Sequence, residues 1–501
     1  MVNFSIQYLV TIILMLGLAA IIIFMLSRFL RISNSLMASL SALTFLIMLL
    51  LIIFQNHLQK SSVFNNFATS MDNIEIYSSG YFNSEDSGAI LISIIALALA
   101  TLVSLYSAEY LTQDKRQRYF YPLLLLMISG FIGMLFTSNL MLLYLFSELM
   151  SICTYSLVAF RRQTDTAIEA GFKYLMMGSV ASVVILLGIA FLFFSNGTIN
   201  INEIEISNGW ISQVGTILIF SGFCLKSALV PLHTWLPDAH GRAPSSISAI
   251  LSGITIQGLF YTSIRLLLSL GFDHYLLGTI LLILSLLNIL VGNIMGLVQE
   301  HTKRLLGYST ISQMGYIALC MAIGLRNNLP AAIQTSFFIM IVHAAAKSLA
   351  FLSKGILHYY IGVTKIKDLE RSSELPNSIS LAFGLAIISL AAIPPFAGFT
   401  GKWMLLTNLV TSEDKLSILC ILVFLSGSII ALGYYFPLLA NIFLQFFSHK
   451  KKAERKINRI SPWMGLPIAI LVIAILYISM TPQFFLKRTE EAAYFLLGMM
   501  R

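Results

Sequence analysis

Residues 214–270 read VGTILIFSGFCLKSALVPLHTWLPDAHGRAPSSISAILSGITIQGLFYTSIRLLLSL. Lys226 lies within an apolar run that reads as a bilayer crossing, and Pro231 follows five residues later in the same run. An ammonium group at mid-bilayer depth costs roughly 2.5–3.5 kcal/mol on insertion scales, so it marks a functional site by default. Proline removes a backbone donor and breaks the helix, which lipid-facing segments tolerate only with compensation. A buried charge beside a helix break is the usual trace of an ion path. Pro244 then opens a second span after a short polar turn holding His233, Asp238 and His240.

Outward from that stretch, 57% of the 501 residues are hydrophobic and 11% charged, a composition that only a polytopic membrane protein can carry. The apolar runs have helical crossing length and lack the alternation of a β-barrel. The net charge of +9 falls in short loops and gives no reason to expect nucleic acid. Cys153, Cys224, Cys320 and Cys420 each stand alone in apolar runs, which supports neither an iron–sulfur cluster nor zinc. Residues 5–30 are too long, and lack the basic start, for a signal peptide, so they read as a retained span.

Fourteen spans are expected, near 5–29, 36–54, 89–111, 120–137, 139–160, 171–194, 214–236, 245–270, 275–297, 304–325, 331–360, 379–410, 416–447 and 463–485. Under that count the basic clusters all fall on one side. They are Arg28 and Arg31, Lys115 to Arg118, Arg161 and Arg162, Lys303 and Arg304, Lys365 to Arg371, and HKKKAERKINR at 449–459. The opposite loops, 55–88 and 195–213, carry Asp72, Glu75, Glu85, Asp86, Glu203 and Glu205. The basic side is therefore expected to be cytoplasmic, with both termini outside, in a cytoplasmic or organellar inner membrane.

Span five (SELMSICTYSLVAF, 147–160) pairs with span ten (STISQMGYIALCMA, 309–322), and the break at Pro231 pairs with Pro394-Pro395 in span twelve. An offset of five spans is odd, so the two copies point in opposite directions, as in transporters built from inverted repeats with broken helices. The chain then divides into a three-helix segment (1–113), a first inverted repeat (114–270), a second (271–447) and a basic loop with a C-terminal helix (448–501). Span eleven, near thirty residues, is long enough to tilt or to contain a break of its own.

Protonatable residues inside spans carry the functional reading. Glu148, in YLFSELMSICTY, needs a partner at its depth, and Lys226 is the natural one. A lysine can release its proton where an arginine cannot. The pair serves either as a relay or as a static packing bridge. His343 and Lys347 in IVHAAAKSLAFLSKGILH are four apart and share a helix face, which suits a proton hand-off. Lys354 lies seven residues beyond and reads equally as a snorkelling side chain. Lys402 follows IPPFAGFTGK, where Gly398 and Gly401 permit close backbone approach. His233, Asp238, His240 and His301 are candidates for proton entry or ordinary solvated loop residues. No nucleotide, zinc-protease or serine-hydrolase motif occurs in a usable context.

Four stretches, PLHTWLPDAHGRAPSSISAILSG, HTKRLLGYSTISQMGYIAL, HAAAKSLAFLSKG and IPPFAGFTGKW, resemble the hallmarks of the antiporter-like subunits. These are shared by respiratory complex I, group 4 membrane-bound hydrogenase-type complexes and Mrp-type Na+/H+ antiporters, and the resemblance covers about residues 85–445. It implies an all-α protein of fourteen transmembrane helices, two inverted five-helix repeats, and breaks in helices seven and twelve. It assigns the family's membrane-plane charges to Glu148, Lys226, Lys347 and Lys402, and a family histidine to His343. One departure stands out: SAILSGITIQ puts Gln257 where the family usually has a lysine, sometimes a histidine. The turn PLHTWLPDAH leans toward the hydrogenase and Mrp-like branch. The resemblance implies a proton-translocating subunit, or a Na+/H+ antiporting one, of a multi-subunit oxidoreductase or hydrogenase-like complex. The alternatives are a subunit of an Mrp-type antiporter with no redox arm, and a structural member whose path stops at Gln257. Expected partners are other antiporter-like and small membrane subunits, a peripheral redox arm and lipid. Redox cofactors are expected only in those partners.

Overall fold

The computed structural model describes residues 6–500 apart from 31, 59–81, 83–84, 115, 162–164, 205, 207–208, 413 and 448–458. Much of the 55–88 loop, with Asp72 and Glu75, and most of the basic run 449–459 lie outside the described residues, as do Arg31, Lys115, Arg162 and Glu205. Among the described residues, twelve helices are long and apolar enough to cross a membrane, and two shorter apolar helices begin the remaining crossings. Numbered by crossing, they are α1 (Ile6–Phe29), α2 (Asn34–Leu58), α3 (Ser87–Tyr110), α4 (Gln117–Phe136), α5 (Leu140–Val158) and α6 (Asp165–Asn196). The seventh is divided into α7a (Trp210–Lys226) and α7b (Trp235–Arg242). Then come α8 (Ser245–Ser269), α9 (His274–Leu297), α10 (Thr302–Arg326) and α11 (Pro330–Ile361). The twelfth is divided into α12a (Asn377–Leu390) and α12b (Ala397–Thr411), followed by α13 (Ser417–Phe447) and α14 (Pro462–Met480).

Helices α8 and α11 are wholly enclosed, and α10 almost so, whereas α1, α2, α13 and α14 turn most of their surface outward. The polar residues explain that order. α11 carries Thr335, Ser336, His343, Lys347, Ser348, Ser353 and Lys354, all buried, and such groups cannot face hydrocarbon. α1 and α2 expose Leu14, Leu18, Ile21, Leu43 and Ile47, side chains suited to lipid.

Both divided helices break with the same local backbone. At the first, the Ser227 amide bonds the Phe223 carbonyl (2.8 Å), Ala228 takes a positive φ of 55°, and the Leu229 amide reaches back to Cys224 (2.9 Å). At the second, Ala391 bonds Ile387 (2.8 Å), Ala392 has φ 58°, and Ile393 reaches Ile388 (3.2 Å). The bonds Val230–Pro231 and Pro394–Pro395 are cis. Each break frees backbone groups that water cannot satisfy inside a bilayer. Side chains take them up: the Trp235 indole donates to the Leu225 carbonyl (3.0 Å), and the Gln313 amide donates to the Leu390 carbonyl (3.1 Å). The Val230 amide donates to Asn288 Oδ1 (2.6 Å). Gly398 is obligatory at the second break, because a Cβ there would lie 1.8 Å from the Ser389 carbonyl oxygen.

Lys226 is the last residue of α7a, where its charge meets the negative end of the helix dipole just before the break. Of the two alternatives for span eleven, α11 takes the unbroken one: it runs to Gly362, whose left-handed φ of 67° caps it. One expectation needs correction. The last crossing is followed by a further helix, α15 (Pro482–Gly498), packed on α11 and α3, which the apolar pattern missed because it carries Lys487, Arg488, Glu490 and Glu491.

A buried clamp joins α3, α8 and the α4–α5 corner. Asp86 caps α3 through the Ala89 amide (2.8 Å), accepts from the Tyr261 hydroxyl and faces Arg265 (3.7 Å), whose guanidinium also donates to the Thr137 carbonyl (2.8 Å). Removing one partner leaves the other charge buried and uncompensated. Asp86→Ala should therefore lower unfolding stability by about 3–5 kcal/mol, read by denaturant titration in detergent, whereas an unchanged midpoint would mean that the clamp contributes nothing.

Candidate functional site

The first group of protonatable residues forms where α5, α6 and α7a meet. Lys226 Nζ lies 2.6 Å from Glu148 Oε1 and also donates to Ser151 (3.1 Å) and Ser147 (3.5 Å). Ser182 on α6 donates to the same carboxylate oxygen. Two opposite charges and three hydroxyls are thus confined in one pocket, where pairing and hydrogen bonding must replace hydration. The lysine is 3% exposed and the carboxylate 21%, so Glu148 is reachable from outside the fold. Met141, Leu145 and Ile152, on the same face of α5, are exposed.

The second group lies where α10, α11 and α12b converge. Lys347 is fully buried and donates to the Leu306 carbonyl (2.7 Å) and to Ser309 Oγ (2.6 Å). Among the described residues it forms no ion pair, so a backbone dipole and a hydroxyl are its named partners. Ser309 in turn contacts the Tyr435 hydroxyl, and Tyr434 and Tyr435 pack with ring centroids 4.5 Å apart. The Tyr434 hydroxyl donates to Asn293 Oδ1 (2.9 Å), and Asn293 Nδ2 donates to the Tyr316 hydroxyl (3.3 Å). Lys402 Nζ sits 4.5 Å above the Tyr316 ring and donates to Ser428 (3.2 Å). His343 lies one turn before Lys347. Together with Gln313, Tyr316 and Lys402 it lines a cavity of about 20 Å³, which exceeds the volume one water needs and offers it several polar partners.

His240, expected as a proton entry or a solvated loop residue, is placed differently. It is a wholly buried side chain of α7b, stacked on Phe351 of α11 with centroids 4.9 Å apart, and not part of a solvated turn. Lys347, Lys303 and His343 lie within its electrostatic reach. Gln257 on α8 is also buried, with Nε2 lacking a hydrogen bond, just after a π-helical turn at Leu251–Thr255. Such turns often accompany functional sites.

The remaining candidates separate. His233 is half-buried. Asp238 is held by Lys173 (3.5 Å) and Arg304 (3.4 Å) at the surface. His301 caps α10 beside Lys303. Lys354 is buried and donates to the Val363 carbonyl, so it does not snorkel. Ser182, Tyr316, Tyr435 and Asn293 escaped the sequence reading because lone hydroxyls and amides in apolar spans give no spacing signal. Asp86 and Arg265 did carry one, an arginine inside the apolar run YTSIRLLLSL.

Burial, then the charges of Lys303, Lys354, Arg242 and Arg304, lowers the pKa of His301 to about 4. The neutral ring is therefore favoured in the folded state. Its contribution to stability is full above the ordinary histidine pKa of about 6.5 and is lost as pH falls toward 4. Acid unfolding of the wild type between those limits should be partly relieved in His301→Gln, and superimposable pH profiles would contradict the placement.

A sequence profile of the family described as NADH:quinone oxidoreductase/Mrp antiporter, TM, matches residues 137–430. The chain is 28% identical over 432 residues to F420H2 dehydrogenase subunit N of Methanosarcina mazei, covering 83% of this chain and 85% of that one. It is 27% identical over 415 residues to NADH-quinone oxidoreductase subunit N of Ruthia magnifica, covering 80% and 83%. In fold it is similar to a chain of the archaeal membrane-bound sulfane sulfur reductase, with TM-score 0.81, 23% identity and 98% of both chains covered.

Proposed function

Because the chain belongs to the NADH:quinone oxidoreductase/Mrp antiporter transmembrane family, we propose that it is a proton-translocating subunit of a multi-subunit membrane oxidoreductase. Its working groups are Glu148, Lys226, His343, Lys347 and Lys402. The observation that carries this reading is Lys347, an ammonium site wholly enclosed by protein and paired with no carboxylate among the described residues. Such a group is costly as a permanent charge, and a lysine can shed that cost by releasing its proton.

In this reading, opening of the Glu148–Lys226 pair changes the field along the line. The hydroxyls of Ser147 and Ser151 hold the lysine during the change. Protons then pass by way of Lys347 and His343 to Lys402, with the cavity between His343 and Lys402 as the site of a bridging water. His240 supplies a titratable group between the two halves, which Gln257 cannot. Moving one charge against 100 mV requires roughly 2.3 kcal/mol. Breaking a buried pair involves several kcal/mol, so the pair is strong enough to drive the step.

The two matching breaks support an inverted-repeat origin for 114–270 and 271–447. The basic loops are proposed to face the cytoplasm, and the redox groups to reside in partner subunits. The partly exposed Glu148 and its apolar stripe on α5 suit contact with a neighbouring membrane subunit.

The test is proton pumping by the intact complex in vesicles. Lys226→Ala and Lys402→Ala should each lower pumped protons per turnover while the complex still assembles. A structural subunit would instead leave that ratio unchanged in both variants, and a self-sufficient transporter would exchange cations when this chain alone is reconstituted.

A further inference from the structure

On the face carrying the basic loops, a cavity of about 430 Å³ opens among the ends of α3, α5, α7b, α10 and α11. Arg161, Arg242, Lys303 and Lys354 line it, together with His301 and His358. Among the described residues the one carboxylate in its wall is Asp114, and Arg161 already holds it at 3.2 Å. Neither lysine is in contact with a carboxylate among the described residues. Lys303 donates to the Ala243 carbonyl and Lys354 to the Val363 carbonyl, and both are buried. Asp368 lies within electrostatic reach of Lys354 but sits outside the wall, where the Lys365 amide donates to it. Buried Nδ1 atoms of His301 and His358 also lack hydrogen bonds, and each can donate to an anion in the matching tautomer. Among the described residues the wall therefore carries two arginines and two lysines against one spoken-for anion, and a bound anion would favour the charged form of both lysines. At His301, in that wall, burial first and then the charges of Lys303, Lys354, Arg242 and Arg304 disfavour the protonated ring.

Lysines and arginines at this density, half withdrawn from water, match the multiple oxygens of a phosphoryl group. Basic pockets between transmembrane helices are known recognition sites for anionic headgroups. The route in is also on the page. A second cavity, of about 520 Å³, shares Gln113 and Asp114 with the first and extends to Ser27, Asn34 and Met37 on the α1–α2 pair. That pair exposes its apolar side chains, so a headgroup could enter from the lipid side as well as from water.

We propose that this cavity is a binding site for a phosphoryl anion, held by Lys303, Lys354, Arg242 and Arg161, that neutralises the charged mouth between the two halves of the protein. The site is separate from the Glu148–Lys226 and Lys347–Lys402 groups and stands whether or not those carry protons.

Hydrogen exchange of the intact complex in phosphatidylcholine nanodiscs tests it. The probes are inorganic phosphate in the buffer and phosphatidylglycerol in the disc. With a probe at about ten times its dissociation constant, amides at 301–305 and 362–366 should exchange about tenfold more slowly. Slowing by inorganic phosphate identifies a free anion, and slowing by phosphatidylglycerol alone identifies a lipid headgroup. Either effect should disappear in Lys303→Gln and weaken in Arg242→Gln, whose side chain is exposed and whose fold is not at risk. No slowing by either probe overturns the proposal, and so does slowing that persists undiminished in Arg242→Gln.

Discussion

A helix that stops inside a bilayer must have its loose amides and carbonyls satisfied by protein, and this requirement organises the molecule. Trp235 and Gln313 capture the carbonyls freed at the two breaks, and Asn288 captures the Val230 amide. Those contacts oblige α9, α10 and the two broken helices to pack tightly together. The space they enclose is polar by construction, because it is built from backbone groups and the side chains that meet them. Lysines can reside there for the same reason. Lys226 ends α7a, and Lys402 lies in α12b, the helix that resumes after the second break.

The two halves are not equivalent electrostatically. Lys226 has a carboxylate, whereas Lys347 has a carbonyl and a hydroxyl, and Lys402 has an aromatic face and a hydroxyl. A pair resists change until something separates it. A lone buried ammonium depends on its proton and on the small shifts of neighbouring dipoles. In the proposed function the first half receives the perturbation and the second passes the charge. The ring of Tyr316 and the hydroxyls of Ser309 and Tyr435 give the second half a continuous polar lining.

Crossings, breaks and the principal lysines were legible in the sequence because hydrocarbon enforces simple rules on length and charge. Lys226, Pro231, His343, Lys347 and Lys402 each violate those rules, and each lies at a break or is enclosed by protein. His240 was misread because an eight-residue helix between two prolines looks like a turn, and only the packing of Phe351 against it reveals its burial. The pairing of Asp86 with Arg265 spans 179 positions of sequence, so only the arginine inside YTSIRLLLSL, and not its partner, was visible locally. The helix α15 carries charges on one side and so escaped a search for apolar runs.

The central claim is that Lys347 works by giving up and regaining a proton and not simply by being positive. Arginine in its place keeps the charge and cannot release it. The decisive measurement is protons pumped per turnover by the assembled complex with Lys347→Arg beside Lys347→Met, assembly being checked in both. The account predicts that both variants lose pumping to a similar extent, and pumping at the wild-type ratio by Lys347→Arg would contradict it.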